Sequence, residues 1–488
     1  MNDRGLFART VINLRWFVLW RTMAQTISWV LTLIVIRLLR SSDYGIMSMA
    51  GLVTIFLQLV LETGLRVAFV QRQCTTEEEY RAANTVLIAG ATASVLVIQL
   101  AARPVAVFFR VPLLEEVLRL YALQFFTSAL CVVPGAILTA QMRFRELGGI
   151  QSATGITAGV TTLVLAICGA GVWSLVIGIL VGGWINVILL VRNARSPLGL
   201  SLKISLLRPY ARFSWYMVVQ RVIEFWIEEA DQLFIGKWLG AAPLGIYSVA
   251  RNLAQMPLDK TGGLVNQVSL PSFAAVQGDM KRWSNGYLKF IRLISALAFP
   301  VFWGMAATGP VALPIILGQK WASTVVPFVL ICIPLPLRAA RSLSTTALLG
   351  LGRSDVSFKT IAAWAGILTP LLFVGVHYGM IGVACAWAFG FPVVYLCYVL
   401  IVSKELHMTM QSLLAPMAVP ATAGAASAMI AGVIGWMTIG RMPAIVILPL
   451  QMVSGLLCYI LVVRTRSGAL YAEISELLAQ LLGRRRFS

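Results

Sequence analysis

Residues 37–50 read RLLRSSDYGIMSMA, and residues 237–250 read KWLGAAPLGIYSVA. At this offset of 200 residues, Leu39/Leu239, Gly45/Gly245, Ile46/Ile246, Ser48/Ser248 and Ala50/Ala250 are identical. Each stretch joins two long apolar runs, so it reads as the junction between the first and second spans of a helical bundle. A second echo pairs GAGVWSLVIG (169–178) with GMIGVACAWA (379–388), each in a tight loop before a sixth span. Chance likeness between apolar segments is the competing reading, but the two offsets, 200 and 210, agree closely. Two six-span halves related by a repeat, with an appended pair, form a transporter architecture. Both first spans start on the same side, so the axis relating the halves should run along the membrane normal.

Composition points the same way. Of the 488 residues, 59% are hydrophobic and 12% charged, and the mean hydropathy is +0.85. Soluble domains carry about 25% charged and about 45–50% apolar residues. A soluble enzyme and a disordered scaffold are therefore excluded. A β-barrel is excluded too, because long apolar runs stand where a barrel needs strict alternation. The expected fold class is all-α and polytopic. At roughly 20 residues per crossing, about fourteen spans fall near 16–39, 45–70, 82–102, 119–141, 149–170, 172–192, 210–235, 243–274, 287–317, 322–350, 358–377, 379–402, 411–436 and 442–463. The implied domains are a six-helix bundle with a cytoplasmic tail (1–205), a second six-helix bundle (206–405), an additional helix pair (406–466) and a cytoplasmic amphipathic tail (467–488). In that tail Leu470, Ile474, Leu477, Leu478, Leu481 and Leu482 share one face and Arg484–Arg486 follow, a pattern suited to an anionic-lipid surface.

The formal charge is +20, from 39 Lys/Arg and 19 Asp/Glu. In a soluble protein this would suggest nucleic acid. With the N-terminus placed inside, however, 24 Lys/Arg fall in cytoplasmic segments and seven outside, as the positive-inside rule requires. The count favours both termini in the cytoplasm and removes the need for a nucleic-acid partner. The segment before the first span, with Arg4, Arg9 and Arg15, reads as a cytoplasmic tail and not as a cleaved signal.

Seven cysteines without a CxxC pair, and only His377 and His407, suit neither a disulfide framework nor a metal site. No P-loop, GxSxG or HExxH is present, and no acidic pair lies in a long extramembrane loop. No catalytic residue, cofactor or metal is expected, and the chain reads as a transporter, not an enzyme.

Eight basic residues remain within or bordering the spans: Arg21, Arg37, Arg66, Arg221, Arg251, Lys260, Arg338 and Arg341. A central Arg or Lys costs about 2.5–3.5 kcal/mol on an insertion scale, so such groups face a hydrated cavity or an acidic partner. Arg37 is the best candidate for simple snorkelling. Glu62 and Arg66 are four apart and share a face. Arg221, Glu224, Glu228 and Asp231, spaced 3, 4 and 3, form one stripe on the seventh span, with Glu229 beside it. One reading is an ion-pair network that only holds the span in place. The other is a cavity wall whose carboxylates bind H⁺ or Na⁺ and whose arginines bind an anionic head group. Gly178 and Gly182 form a GxxxG suited to plain helix packing. The many prolines of the later spans suit kinks, with or without gating.

RLLRSSDYGIMSMA, followed by ETGLRVAFVQR (62–72) and TTEEE (75–79), resembles the N-terminal signature of polysaccharide exporters. These are the Wzx-like members of the multidrug/oligosaccharidyl-lipid/polysaccharide flippase superfamily. VVPGAILTAQMRFREL (132–147), ADQLFIGKWLGAAPLGIYSVARNLAQMP (230–257), LPSF (270–273) and LLGLGRSDVSFK (348–359) continue the resemblance in order, over roughly residues 15–405. It implies a MATE-like fold of two six-helix bundles and export of an undecaprenyl-diphosphate-linked oligosaccharide for exopolysaccharide or lipopolysaccharide synthesis, across the bacterial inner membrane. Asp231 matches the family's acidic position, and Arg251 follows the YSxA block where basic or polar residues are usual. Glu62 departs mildly from a position where Asp is common. The expected cavity cations are Arg66, Arg221, Arg251, Arg338 and Arg341. The expected coupling or pairing carboxylates are Glu62, Glu224, Glu228 and Asp231. Expected partners are the lipid-linked oligosaccharide and membrane lipids, with a polysaccharide polymerase and co-polymerase as further candidates. The rival readings are a cation-coupled multidrug exporter of the same fold and a membrane glycosyltransferase or polymerase.

Overall fold

The computed structural model describes residues 25–61, 76–141, 143–196, 199–203, 208–274, 279–351, 353–406, 408–438 and 440–481, and all regular structure among them is helical. The helices are α1 (Gln25–Leu38), α2 (Ser41–Leu61), α3 (Glu77–Phe109), α4 (Leu113–Tyr121), α5 (Gln124–Ala140), α6 (Phe144–Ile167), α7 (Val172–Ala194), α8 (Arg208–Leu239), α9 (Ala241–Ala274) and α10 (Met280–Leu317). A 3₁₀ turn (Gln319–Thr324) leads into α11 (Val325–Cys332), α12 (Leu335–Gly350), α13 (Ser354–Val376), α14 (Gly379–Glu405), α15 (Met410–Thr438), α16 (Ala444–Arg466) and α17 (Gly468–Leu481). Among the described residues, ten spans are long and apolar enough to cross a membrane, with α4 and α5 forming one of them, or eleven if the bent segment Gln319–Cys332 and Leu335–Leu348 is one span. The helices α1, α8 and α9 are not in that set. The described part of α1 is short, and α8 carries Arg221, Glu224, Glu228, Glu229 and Asp231.

Local chemistry sets the helix ends. The acidic TTEEE run opens α3 as a capping box: Thr76 Oγ1 accepts from Glu79 N at 3.3 Å, and Thr76 N donates to Glu79 Oε2 at 2.9 Å. Such a cap contributes about 1 kcal/mol, and the three glutamates of the first turn suit the positive end of the helix dipole. Asp279 caps α10 by accepting from Arg282 N at 3.0 Å. At 1.5 Å per residue, the 38 residues of α10 reach about 57 Å, well past a hydrocarbon core of about 30 Å. Its early turns, with Lys281, Arg282, Lys289 and Arg292, can therefore stand beyond the apolar layer.

The echoes found in the sequence recur as geometry. Gly169 and Gly379 both hold the left-handed backbone, at φ 79° and 78°, where glycine is unstrained. Arg143 and Arg353 occupy the same place before α6 and α13 and adopt similar backbone angles. Arg143 pairs with Glu146, while Arg353 bridges Asp355 at 3.0 Å and Glu405 at 2.7 Å. Hydrogen bonds to these carboxylates hold both guanidinium groups above their ordinary pKa. Gly45 and Gly245 meet reciprocally. A Cβ on Gly45 would strike the Ala241 carbonyl, and a Cβ on Gly245 would strike the Ser41 carbonyl. Ser41 is to Gly245 as Ala241 is to Gly45, so one offset of 200 relates both halves of the contact.

The chain divides into two compact units, Met1–Gly245 and Ile246–Ser488. In the first, α7 packs on both α5 and α6. Leu138, Ile150, Leu190 and Ala194 form a buried cluster there. The GxxxG serves this packing: a Cβ on Gly178 would strike Thr162 Oγ1, and one on Gly182 would lie 2.7 Å from Ala158 Cβ. In the second unit α10 packs on α15, α13 on α14, and α15 on α16. Leu470 of α17 is buried with Ala296, Ala423, Tyr459 and Val463, and Arg292 bonds Glu473 at 2.5 Å. Large apolar side chains such as Leu100 and Trp436 (each 81% exposed) point outward, as a lipid-facing surface requires.

Candidate functional site

Three of the expected cations converge in the second unit. Arg251 lies on α9, four residues before Gln255. Arg338 and Arg341 are three apart on α12 and so share a face, just beyond Pro334 and Pro336. The Gln255 amide oxygen, turned toward the guanidinium groups, accepts from Arg251 Nε at 3.2 Å and Arg338 Nη1 at 2.8 Å. A neutral acceptor thus ties two like charges together. Its orientation is assigned from the hydrogen-bonding pattern.

An aromatic wall holds the same groups. The Arg338 guanidinium lies 5.0 Å from the Trp387 ring centre and 6.0 Å from that of Trp364. Arg341 sits 3.9 Å from the Trp364 ring centre. Trp364 meets Trp387 and Phe391 edge-on, and Trp387 stacks on Phe391. A desolvated guanidinium–ring contact stabilises by about 2 kcal/mol, and a flat guanidinium left over a ring face keeps its edge donors for another acceptor. Behind Arg341 stands a buried hydroxyl set. Tyr287 donates to Ser344 Oγ at 2.8 Å and lies 3.3 Å from the Tyr398 hydroxyl. Arg251 is buried at 5% exposure, while Arg338 and Arg341 are half-buried. This arrangement can offer several N–H donors to an anionic oxygen cluster from a rigid aromatic support.

Of the expected carboxylates, Glu224, Glu228 and Asp231 belong to the first unit and to a single helix, α8. Asp231 is fully buried and accepts from Gln232 N at 2.7 Å. Glu229 accepts from Gln232 Nε2 at 2.5 Å. Glu224 is half-buried and Glu228 exposed, so the sealed Asp231 and the open Glu228 are neighbours on the stripe. Glu62 and Arg66 lie outside the described residues, and so does the side chain of Arg221. Gln255, Trp364 and Trp387 were not singled out from the sequence. A signal was nonetheless present, since tryptophan ordinarily marks the membrane interface and both of these stand deep within apolar spans.

Comparison with known proteins shows what the chain and its fold resemble. The chain is 25% identical over 247 residues to the lipopolysaccharide biosynthesis protein WzxC of Escherichia coli (strain K12), covering 49% of each chain. It is 25% identical over 316 residues to the succinoglycan biosynthesis transport protein ExoT of Rhizobium meliloti (strain 1021), covering 64% of each. The matched region thus spans about half to two thirds of these relatives. The fold superposes on the lipid II flippase MurJ in an inward closed conformation with a TM-score of 0.73 and 14% identity, over 92% of this chain and 98% of that one. The family of polysaccharide biosynthesis proteins matches residues 34–326, and the chain belongs to that family.

Proposed function

We propose that the protein is a flippase for a lipid-linked oligosaccharide, moving an undecaprenyl-diphosphate-linked repeat unit across the inner membrane by alternating access. The observation that carries this reading is the Arg251–Gln255–Arg338 bridge, held with Arg341 against Trp364 and Trp387 within apolar helices. Basic groups at such depth are costly unless they serve a pathway, and a diphosphate is the anion that planar guanidinium donors match best. The family and the transport role carried in ExoT's name support the same substrate class. We assign Arg251, Arg338 and Arg341 to the diphosphate and Glu224, Glu228 and Asp231 to ion coupling or to pairing within the unit. The functional halves are 1–205 and 206–405, with 406–466 as an additional pair. Both termini face the cytoplasm, and a polymerase and co-polymerase take up the product. A cation-selecting multidrug exporter would need an acid-dominated cavity, and a cluster of three arginines argues against it.

The test is polymer export in a strain lacking its own exporter, with protein levels in the membrane monitored. Arg251→Ala combined with Arg338→Ala should abolish export while the protein remains in the membrane. Arg353→Ala, which removes the ion pairs with Asp355 and Glu405 and touches none of the three clustered arginines, should leave export intact. Full export by the double variant would overturn the assignment.

A further inference from the structure

The first unit holds a cavity of a different character. It lies between α5 and α6 against α7 and has a volume of about 450 Å³, within the range of about 300–1,000 Å³ that small-ligand sites occupy. Its polar lining comprises Gln124, Thr127 and Ser128 of α5, Thr154 of α6 and Asn186 of α7. None of its lining residues carries a charge. Gly182 and Gly183 line it as well, and their missing side chains leave the space open. Thr154 and Asn186 lie within the apolar helices α6 and α7, and Gln124 lies within the candidate span Leu113–Ala140.

Two polar atoms in this lining have no partner. Gln124 is 9% exposed, and its Nε2 has no acceptor in hydrogen-bonding geometry although the Tyr121 hydroxyl lies close by. Thr154 Oγ1 is buried and equally unmatched. Other groups are already held in place: Gln58 Nε2 donates to Ser128 Oγ at 2.7 Å, and Thr127 Oγ1 donates to the Gln124 carbonyl at 2.8 Å. A buried donor and a buried hydroxyl left open inside a membrane protein are costly unless something arrives to pair with them. The absence of charge excludes the diphosphate and any cation as the natural occupant. Amides and hydroxyls both donate and accept, as does every hydroxyl of a sugar.

We infer that this cavity is a saccharide subsite, which takes a neutral sugar ring of the transported lipid through Gln124, Thr154 and Asn186. The inference rests on the flippase reading and adds a sugar-recognising site to it. A site built on open hydrogen-bonding groups discriminates strongly against a ligand that lacks the matching hydroxyl.

The experiment measures equilibrium binding to the full-length protein in lipid nanodiscs. The probes are undecaprenyl diphosphate alone and undecaprenyl diphosphate bearing glucose, galactose or N-acetylglucosamine. The wild type should bind at least one glycosylated lipid about tenfold more tightly than the bare one, the gain of roughly one well-made hydrogen bond. Gln124→Leu and Thr154→Val should each reduce that preference toward unity and leave affinity for the bare diphosphate unchanged. Both remove an unmatched polar atom, so both should unfold thermally at or above the wild-type temperature, which separates lost recognition from lost folding. Retention of the full preference by both variants would mean that the cavity holds only water and would overturn the inference. Equal binding of bare and glycosylated lipids by the wild type would also overturn it, while the flippase reading stands. Failure of the wild type to bind any of the four lipids would remove that reading and the subsite with it.

Discussion

The reciprocal contact of Gly45 and Gly245 makes a quantitative prediction. A Cβ on Gly45 would lie 2.9 Å from Ala241 Cα, and a Cβ on Gly245 would lie 2.7 Å from the Ser41 carbonyl carbon and 2.9 Å from Gly45 N. Carbon atoms settle at about 3.5–4.0 Å, so each added methyl falls roughly 1 Å short of these atoms and further short of the facing carbonyl oxygen. The obstructing atoms are backbone on both sides, and no rotamer change can relieve them. The helix ends must separate, at a cost of about 3 kcal/mol, the upper end of ordinary overpacking. At roughly 2 °C per kcal/mol for a unit of 245 residues, Gly45→Ala and Gly245→Ala should each lower the unfolding temperature by about 6 °C. The assay is thermal unfolding of detergent-solubilised protein, followed by the loss of the monodisperse peak on size-exclusion chromatography. Gly51→Ala on the same helix is the control, because a Cβ there meets nothing within 4 Å. Both alanines enter one crossing, so the double variant should lose less than the sum of the singles. Should Gly45→Ala and Gly245→Ala unfold at the temperature of the Gly51→Ala control, the backbone-to-backbone crossing would be refuted.

Two further outcomes follow from side-chain contacts. Arg292→Ala should loosen α17, because Arg292 and Glu473 bond at 2.5 Å with the remaining Arg292 Nε and Glu473 Oε2 buried. Limited proteolysis should then cut the C-terminal segment faster, and the charge swap Arg292→Glu with Glu473→Arg should restore resistance. Equal cleavage rates in the wild type and Arg292→Ala would show that the pair is not a latch. Arg338→Lys retains the charge but loses the planar face over Trp387 and the fork that reaches Gln255. Export measured as secreted polymer should fall about tenfold, the loss of about 1.4 kcal/mol, and wild-type export would contradict the stacking role.

Part of this chemistry is legible in the sequence alone. Arg251, Arg338 and Arg341 stood out because a charge in an apolar run must be explained locally. The capping box at Thr76 and the turn glycines Gly169 and Gly379 likewise depend on neighbours within a few residues, although only the TTEEE run and the tight loops stand out in the sequence. The carboxylate stripe was legible only in direction. A spacing of 3 and 4 places Glu224, Glu228 and Asp231 on one face, yet it cannot say that Asp231 is sealed while Glu228 is open, because depth depends on what packs against each turn. Gln255, Trp364 and Trp387 escaped notice because each belongs to a different helix from Arg338. The neutral cavity escaped for a similar reason: Gln124, Thr154 and Asn186 are unremarkable one at a time.

The amino-acid sequence by itself determined the membrane class, the all-helical architecture, the internal repeat and the basic residues that apolar helices do not tolerate idly, while ten or eleven of the about fourteen expected spans are found among the described residues. Hydropathy, backbone hydrogen bonding and charge cost all act along the chain, so their pattern survives in one dimension. The tertiary structure alone decided which of those residues meet. It grouped three arginines with two tryptophans and a glutamine, buried Asp231, and set Gly45 against Gly245 with no room for a methyl. These are contacts between helices tens to hundreds of residues apart, fixed by packing shape, and no local spacing encodes them.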